Sequence, residues 1–274
     1  MRKIWIMMAA VVLMSLASVA QNAETVNVSK ERDGYYTHVF GEIRVEGHVK
    51  KGAKEGTWYE YFNTKNLIHR VIQFDHGVMN GLYMEIDENG YVVKKSEYVN
   101  GKQDGSQFVW SHGGHLVQMN SYKNGELHGD QILCYDNGNN QEVSTYQNGL
   151  REGVTTWYNR EGNKVMMITY KRGLFDGKQE TYYATGGVKT SKMYKNNKLE
   201  GDSFEYYEGG DVKSQSTFKN GTQVGKTKQF EEKHPFKKEA SKQELKKELT
   251  PMNTKNKIDN TKNMAPSSKS ARRQ

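Results

Sequence analysis

The chain has 274 residues, 27 of them glycine and only 3 proline, with one cysteine and a net charge of +8. A single cysteine excludes an intrachain disulfide framework. The charge is unevenly placed: residues 231–274 hold twelve Lys/Arg against six Asp/Glu, Arg2 and Lys3 supply the remainder, and residues 21–230 are neutral, so no nucleic-acid binding is expected of the body.

The first element is a targeting segment. Arg2 and Lys3 precede an uncharged apolar run over 4–17, and Ser18-Val19-Ala20 places small residues where a signal peptidase needs them. The run is shorter than the ~20 residues that span a bilayer. The pattern predicts a signal peptide over 1–20, cleaved near Ala20, and an exported chain, periplasmic or secreted. The lone cysteine, Cys134, lies far beyond the apolar run, so a lipoprotein anchor is not expected. Residues 21–48 read as a polar lead-in followed by a partial repeat.

From residue 49 to 230 the chain repeats. Aromatic residues open successive units at Phe74, Tyr98, Tyr122, Tyr146, Tyr170, Tyr194 and Phe218, each 24 residues after the last. Counting that residue as position one, position four is glycine in every unit but one, where Asn197 replaces it. Position eight is always glycine, from Gly81 to Gly225, and position seventeen is glycine from Gly90 to Gly210. A fixed period of this size is the mark of a repeat array. Asn-Gly pairs tolerate positive φ at both centres of a type I′ turn. They predict one such turn at Asn124-Gly125 and Asn148-Gly149, and a second at Asn89-Gly90, Asn137-Gly138, Glu161-Gly162, Gly186-Gly187 and Gly209-Gly210. Two turns per unit leave two short strands, so each repeat reads as a β-hairpin. The expected fold is all-β, an elongated single-layer antiparallel sheet of tandem 24-residue hairpins. All three prolines fall after the array, as an uninterrupted ladder requires. Residues 231–274 read as a basic, disordered tail in which 237–249 has helical spacing.

The pattern Tyr-x-Asn-Gly-x-x-x-Gly, then an aromatic and a glycine turn, resembles the bacterial variant of the MORN (membrane occupation and recognition nexus) repeat. The resemblance covers about residues 49–230 and implies an elongated sheet used for binding and scaffolding. Some bacterial members carry the label "YwqK-family antitoxin". An antitoxin meets its toxin in the cytoplasm, which an exported chain leaves.

Catalytic, cofactor and metal sites are not expected. His112 and His115 flank a glycine turn with no third ligand at metal-binding spacing. Cys134 sits at position thirteen, otherwise Ile86, Trp110, Tyr158, Tyr182, Tyr206 and Phe230, where a small hydrophobe fits. Residues 136–140 echo a calcium loop but lack its closing Glu. Glu208 and Asp211 read as turn acids. Strand side chains alternate faces, so if position thirteen packs inward, its neighbours Tyr135, Trp157, Tyr183 and Tyr207 face outward as a candidate partner-binding row. The reading is a non-catalytic interaction or scaffolding module in the cell envelope with a protein partner. The alternative is a binder of membrane lipid or envelope polysaccharide, with the antitoxin role ranked lower.

Overall fold

A computed structural model describes residues 23–236, so the expected signal peptide over 1–20 and the expected helical spacing over 237–249 lie outside the described residues. Among the described residues twenty strands form one open antiparallel sheet that runs as a meander in chain order. They run β1 Gly34–Phe40, β2 Ile43–Lys50, β3 Ala53–Phe62, β4 Leu67–Asp75, β5 Val78–Ile86, β6 Val92–Val99, β7 Lys102–Gln103, β8 Gly105–Trp110, β9 Leu116–Lys123 and β10 Glu126–Cys134. The second half comprises β11 Asn140–Gln147, β12 Leu150–Arg151, β13 Gly153–Tyr158, β14 Lys164–Lys171, β15 Leu174–Tyr182, β16 Val188–Lys195, β17 Lys198–Leu199, β18 Gly201–Tyr206, β19 Val212–Lys219 and β20 Thr222–Gln229. The pairs β7/β8, β12/β13 and β17/β18 are each one strand kinked at the position-eight glycine.

The first turn of each unit is type I′ as expected. Asn124 and Gly125 have φ of 53° and 88°, and Lys123 pairs with Glu126 across the tip. Even the exception conforms, since Asn197 holds φ at 65°. Each tip is also latched to the repeat before it. The Gly125 amide donates to the Gln103 carbonyl at 2.7 Å and the Asn124 amide to Asp104 Oδ2 at 2.9 Å. Asn80, Glu152, Asp176 and Glu200 accept the same backbone N–H from the next unit. Position seven therefore satisfies an amide that a tight turn leaves pointing outward.

Gly149 tests this turn. A Cβ added there meets nothing within 4 Å, so only its φ of +76° penalises a side chain. Gly149→Val should lose about 1–2 kcal/mol, the cost of a β-carbon in the left-handed region, and Gly149→Asn clearly less. Equal denaturation midpoints for the two variants would contradict the assignment.

The second turn differs from expectation. In all six units that have it, the amide of the position-seventeen glycine donates to the carbonyl three residues earlier, as Gly138 does to Tyr135 at 3.0 Å. Only that glycine has positive φ, at 86° for Gly138, while Asn137 does not. This is a three-residue loop built on a type I turn, with a left-handed glycine forming a bulge, rather than type I′. Gly186-Gly187 and Gly209-Gly210 are accordingly not the paired centres of a turn. The register shifts beside it, as between Leu133 and Cys134.

The two faces of the sheet are unequal. One carries positions one, ten and twenty-three, where Phe74, Tyr83, Tyr170 and Ile168 are buried and small or amide side chains (Ser96, Asn120, Ser144, Thr155) fill the gaps between rings. Asn120 stitches three strands there, donating to Gln107 Oε1 at 2.8 Å and accepting from Gln131 Nε2 at 2.9 Å. Position thirteen lies on the opposite face, where Trp110, Tyr158, Tyr182 and Tyr206 are only half-buried. The expected inward packing of position thirteen is therefore reversed: the packed face is the one shared by positions ten, twelve and twenty-three.

The densest packing lies at the N-terminal end. Residues 23–33 fold back across the inner face, and Ala23, Val26 and Val28 join Val45, Trp58, Ile72 and Phe74 in one core. The lead-in is thus a strap and not merely polar. Lys54 Nζ donates to the carbonyls of Ala23 at 2.6 Å and Glu24 at 2.7 Å, while buried Glu60 accepts the Ala23 amide at 3.0 Å. Burial lowers the Lys54 pKa to about 8.

Candidate functional site: the tyrosine edge

Position fourteen opens every second turn, so its side chains line one long edge of the sheet. Where it is tyrosine, the hydroxyl reaches along that edge to the next repeat. Tyr135 donates to the Tyr158 carbonyl at 2.9 Å, Tyr183 to Tyr206 at 2.6 Å and Tyr207 to Phe230 at 3.0 Å. A cation stands over each ring: Arg160 at 5.5 Å, Lys189 at 5.6 Å and Lys213 at 6.0 Å. In the unit opened by Phe74, Asp87 takes this place and meets His112 Nδ1 at 3.1 Å. That bond, with those from Asn89 and Tyr91 amides, holds the Asp87 carboxyl below its ordinary pKa.

At the C-terminal end the edge widens into a cavity of about 520 Å³. Asp211 accepts the amides of Lys233 at 2.7 Å and His234 at 2.5 Å, and His234 Nδ1 at 2.9 Å. The His234 bonds hold its pKa low. They bring Glu232, Pro235 and Phe236 over Tyr183, Thr185, Tyr207 and Glu208 to form the walls. The start of the expected tail, 231–236, is therefore docked. The groove is thus walled by the 232–236 segment and two tyrosine rings, with the carboxylates of Glu208 and Glu232 among its lining.

Three of the four predicted residues share this edge, and two line the cavity. Trp157 does not. Its Nε1 donates to Glu142 Oε2 at 2.7 Å on the inner face. Beside it, the Arg151 guanidinium pairs with Glu142 and lies 5.5–5.8 Å from the rings of Tyr146, Trp157 and Tyr170. Arg151 has its pKa raised; burial opposes the charge, but Glu142, Tyr146 and Tyr170 outweigh it.

The remaining sequence candidates have structural partners. Burial pushes the Cys134 thiol pKa up, and its Sγ contacts Asn140 Oδ1 at 3.9 Å. The Ser111 amide donates to the His115 carbonyl at 2.9 Å to close a turn. Asn137 and Asn139 donate to the Arg160 carbonyl of the following turn, and Thr185 donates to Glu208. Glu55, Asp75 and His76 gather ligand atoms within 4.8 Å, yet Glu55 already caps the His76 amide as position seven does elsewhere. Sequence reasoning missed the position-seven caps, although the recurrence of Asn80, Asp104, Glu152, Asp176 and Glu200 before a glycine was visible.

Fold and edge together define a tandem β-hairpin array whose features suit a binding module. The family model for the MORN repeat variant matches residues 175–196 and 199–220, two segments that begin 24 residues apart in phase with the array. MORN repeats generally bind proteins or membrane lipids. No curated protein matches the chain.

Proposed function

We propose that this is an exported, non-catalytic repeat protein of the cell envelope that holds a protein partner against the tyrosine edge. The observation that carries the reading is the cavity where Tyr183 and Tyr207 meet Pro235 and Phe236. Tyrosine contributes large rigid area with a polar tip, which favours it at protein interfaces. Tyr135 extends the same edge two repeats earlier. Lipid is disfavoured by the neutral body, whose basic surplus lies in the tail beyond the edge. Export rests on the 1–20 segment, and N-terminal sequencing of the chain from cells should begin near Gln21.

A photo-crosslinking residue at Thr185, which lines the cavity, tests the site. It should yield one discrete protein adduct in envelope fractions, and Tyr207→Ala should abolish it. Tyr183→Ala should weaken the isolated complex by ~2 kcal/mol, about thirtyfold in Kd. It should also cost the fold ~1 kcal/mol through its hydroxyl bond. Tyr182→Ala, on the opposite face, should lower the melting temperature and leave the adduct intact. Co-sedimentation with liposomes or envelope glycan, without a protein adduct, would instead support the lipid or polysaccharide alternative.

A further inference from the structure

The sheet is open and ends in two edge strands that are chemically opposite. At the C-terminal end β20 reads Thr-Gln-Val-Gly-Lys-Thr-Lys-Gln, with every residue exposed. Lysines on an edge strand are the usual guard against pairing with another chain. At the other end β1 reads Gly-Tyr-Tyr-Thr-His-Val-Phe and carries no Asp, Glu, Lys or Arg. Among the described residues it pairs with β2 alone, through all seven of its residues. Tyr35 is 61% exposed and Val39 48%. Its inner-face rings are already ordered: Tyr36 lies 5.7 Å from Trp58, and His38 and Phe40 are 4.3 Å apart. An ordered, uncharged edge rich in aromatic and β-branched residues is primed for a further strand.

We propose that the occupant of this edge is a second copy of the chain, with β1 paired antiparallel to β1 about a two-fold axis at Thr37. The sequence of β1 is self-complementary in that register. Tyr35 faces Val39 of the second copy and Thr37 faces its own equivalent on one face; Tyr36 faces His38 on the other. Aromatic with β-branched, threonine with threonine and aromatic with aromatic are the favourable cross-strand classes. With no Asp, Glu, Lys or Arg in β1, and His38 set against a tyrosine, the axis opposes no pair of permanently charged side chains. A slip of one residue would set the exposed Tyr35 and Val39 against the opposite face, so the register is fixed by burial. Head-to-tail growth is disfavoured for two reasons. The meander places β1 and β20 in the same direction, so translated copies would meet as a parallel pair, and β20 would bring Lys226 and Lys228. The two-fold contact closes on itself and stops at a dimer. It joins two arrays into one continuous sheet and leaves both tyrosine edges open, independently of what they bind.

Sedimentation velocity on the chain isolated by a C-terminal tag tests the contact. The native chain should run at twice the monomer mass. Val39→Lys, at an exposed site, should halve that mass with an unchanged circular dichroism spectrum, whereas Val224→Lys on β20 should leave it. In a Cys134→Ser background Thr37→Cys should form a covalent dimer on mild oxidation. The two Cα atoms of a directly opposed antiparallel pair are about 4.5 or 5.5 Å apart, within disulfide reach. A native chain monomeric at every concentration, a dimer that persists in Val39→Lys, or a Thr37→Cys chain that stays uncrosslinked would each overturn the proposal. Should Val39→Lys lower the melting temperature, the Thr37→Cys crosslink decides.

Discussion

Trp58→Ala should destabilise the fold by about 4 kcal/mol, in the middle of the range for removing a buried aromatic. Trp58 is wholly buried, and its Nε1 donates to the His48 carbonyl at 3.1 Å. The indole lies flat on the backbone of β2 because residue 47 is glycine; a methyl added to Gly47 would fall inside the ring's van der Waals envelope. Above it sit the strap residues Ala23, Val26 and Val28, so truncation opens a void that neither the sheet nor the strap can fill alone. Gly47→Ala should reach a similar loss by the other route, displacing the ring instead of deleting it. Urea denaturation followed by circular dichroism measures both. A loss below 1 kcal/mol for Trp58→Ala would mean that the strap does not pack on this face.

Arg151→Met should cost about 3 kcal/mol, the lower end of what breaking a buried ion pair removes. The Glu142 side chain is about one-tenth exposed. It keeps hydrogen bonds from Ser144 Oγ and Trp157 Nε1 but loses its counter-ion. The variant places an apolar side chain among Tyr146, Trp157 and Tyr170, so packing is largely retained and the loss is electrostatic. Adding Glu142→Gln should therefore restore much of the stability, because the stranded charge is gone. Additive losses in this double-mutant cycle would show that the two residues do not act as a pair.

The architecture was legible because its signal was redundant. One Asn-Gly is ambiguous, but the same glycine at position four in six of seven units leaves a hairpin array as the consistent reading. The type of the second turn was less legible, since a type I loop with a glycine bulge and a type I′ turn both favour Asn-Gly. Thr185, at the position sixteen that Asn89, Asn137 and Glu161 hold elsewhere, carried the distinction, because a type I′ turn in that shared register would put a β-branched residue at positive φ. The strap was illegible. It is an extended segment that covers the core with three apolar side chains and is fixed through backbone groups to Lys54 and Glu60. No periodicity announces such a contact. Alternation correctly separated Trp157 from Tyr158, but it could not say that the Trp157 face was the packed one. That depended on which face Ser144 and Thr155 share with the rings. The tyrosine edge was found by alternation although its members sit at turns, where alternation no longer governs. Their shared direction comes from a carbonyl 23 residues ahead that accepts each hydroxyl.

Burial is graded along the chain, from the strap-covered core around Trp58 to a final strand in which every residue is wetted. Synthesis proceeds in the same direction, N-terminus first. Each hairpin's tip amides are held by acceptors of the unit before it, so every repeat leans on its N-terminal neighbour. Growth of this kind resembles a zipper drawn from its fixed end. Under heat or mechanical load it should open from the free end, one tooth at a time, with the strap-bound end the last to part.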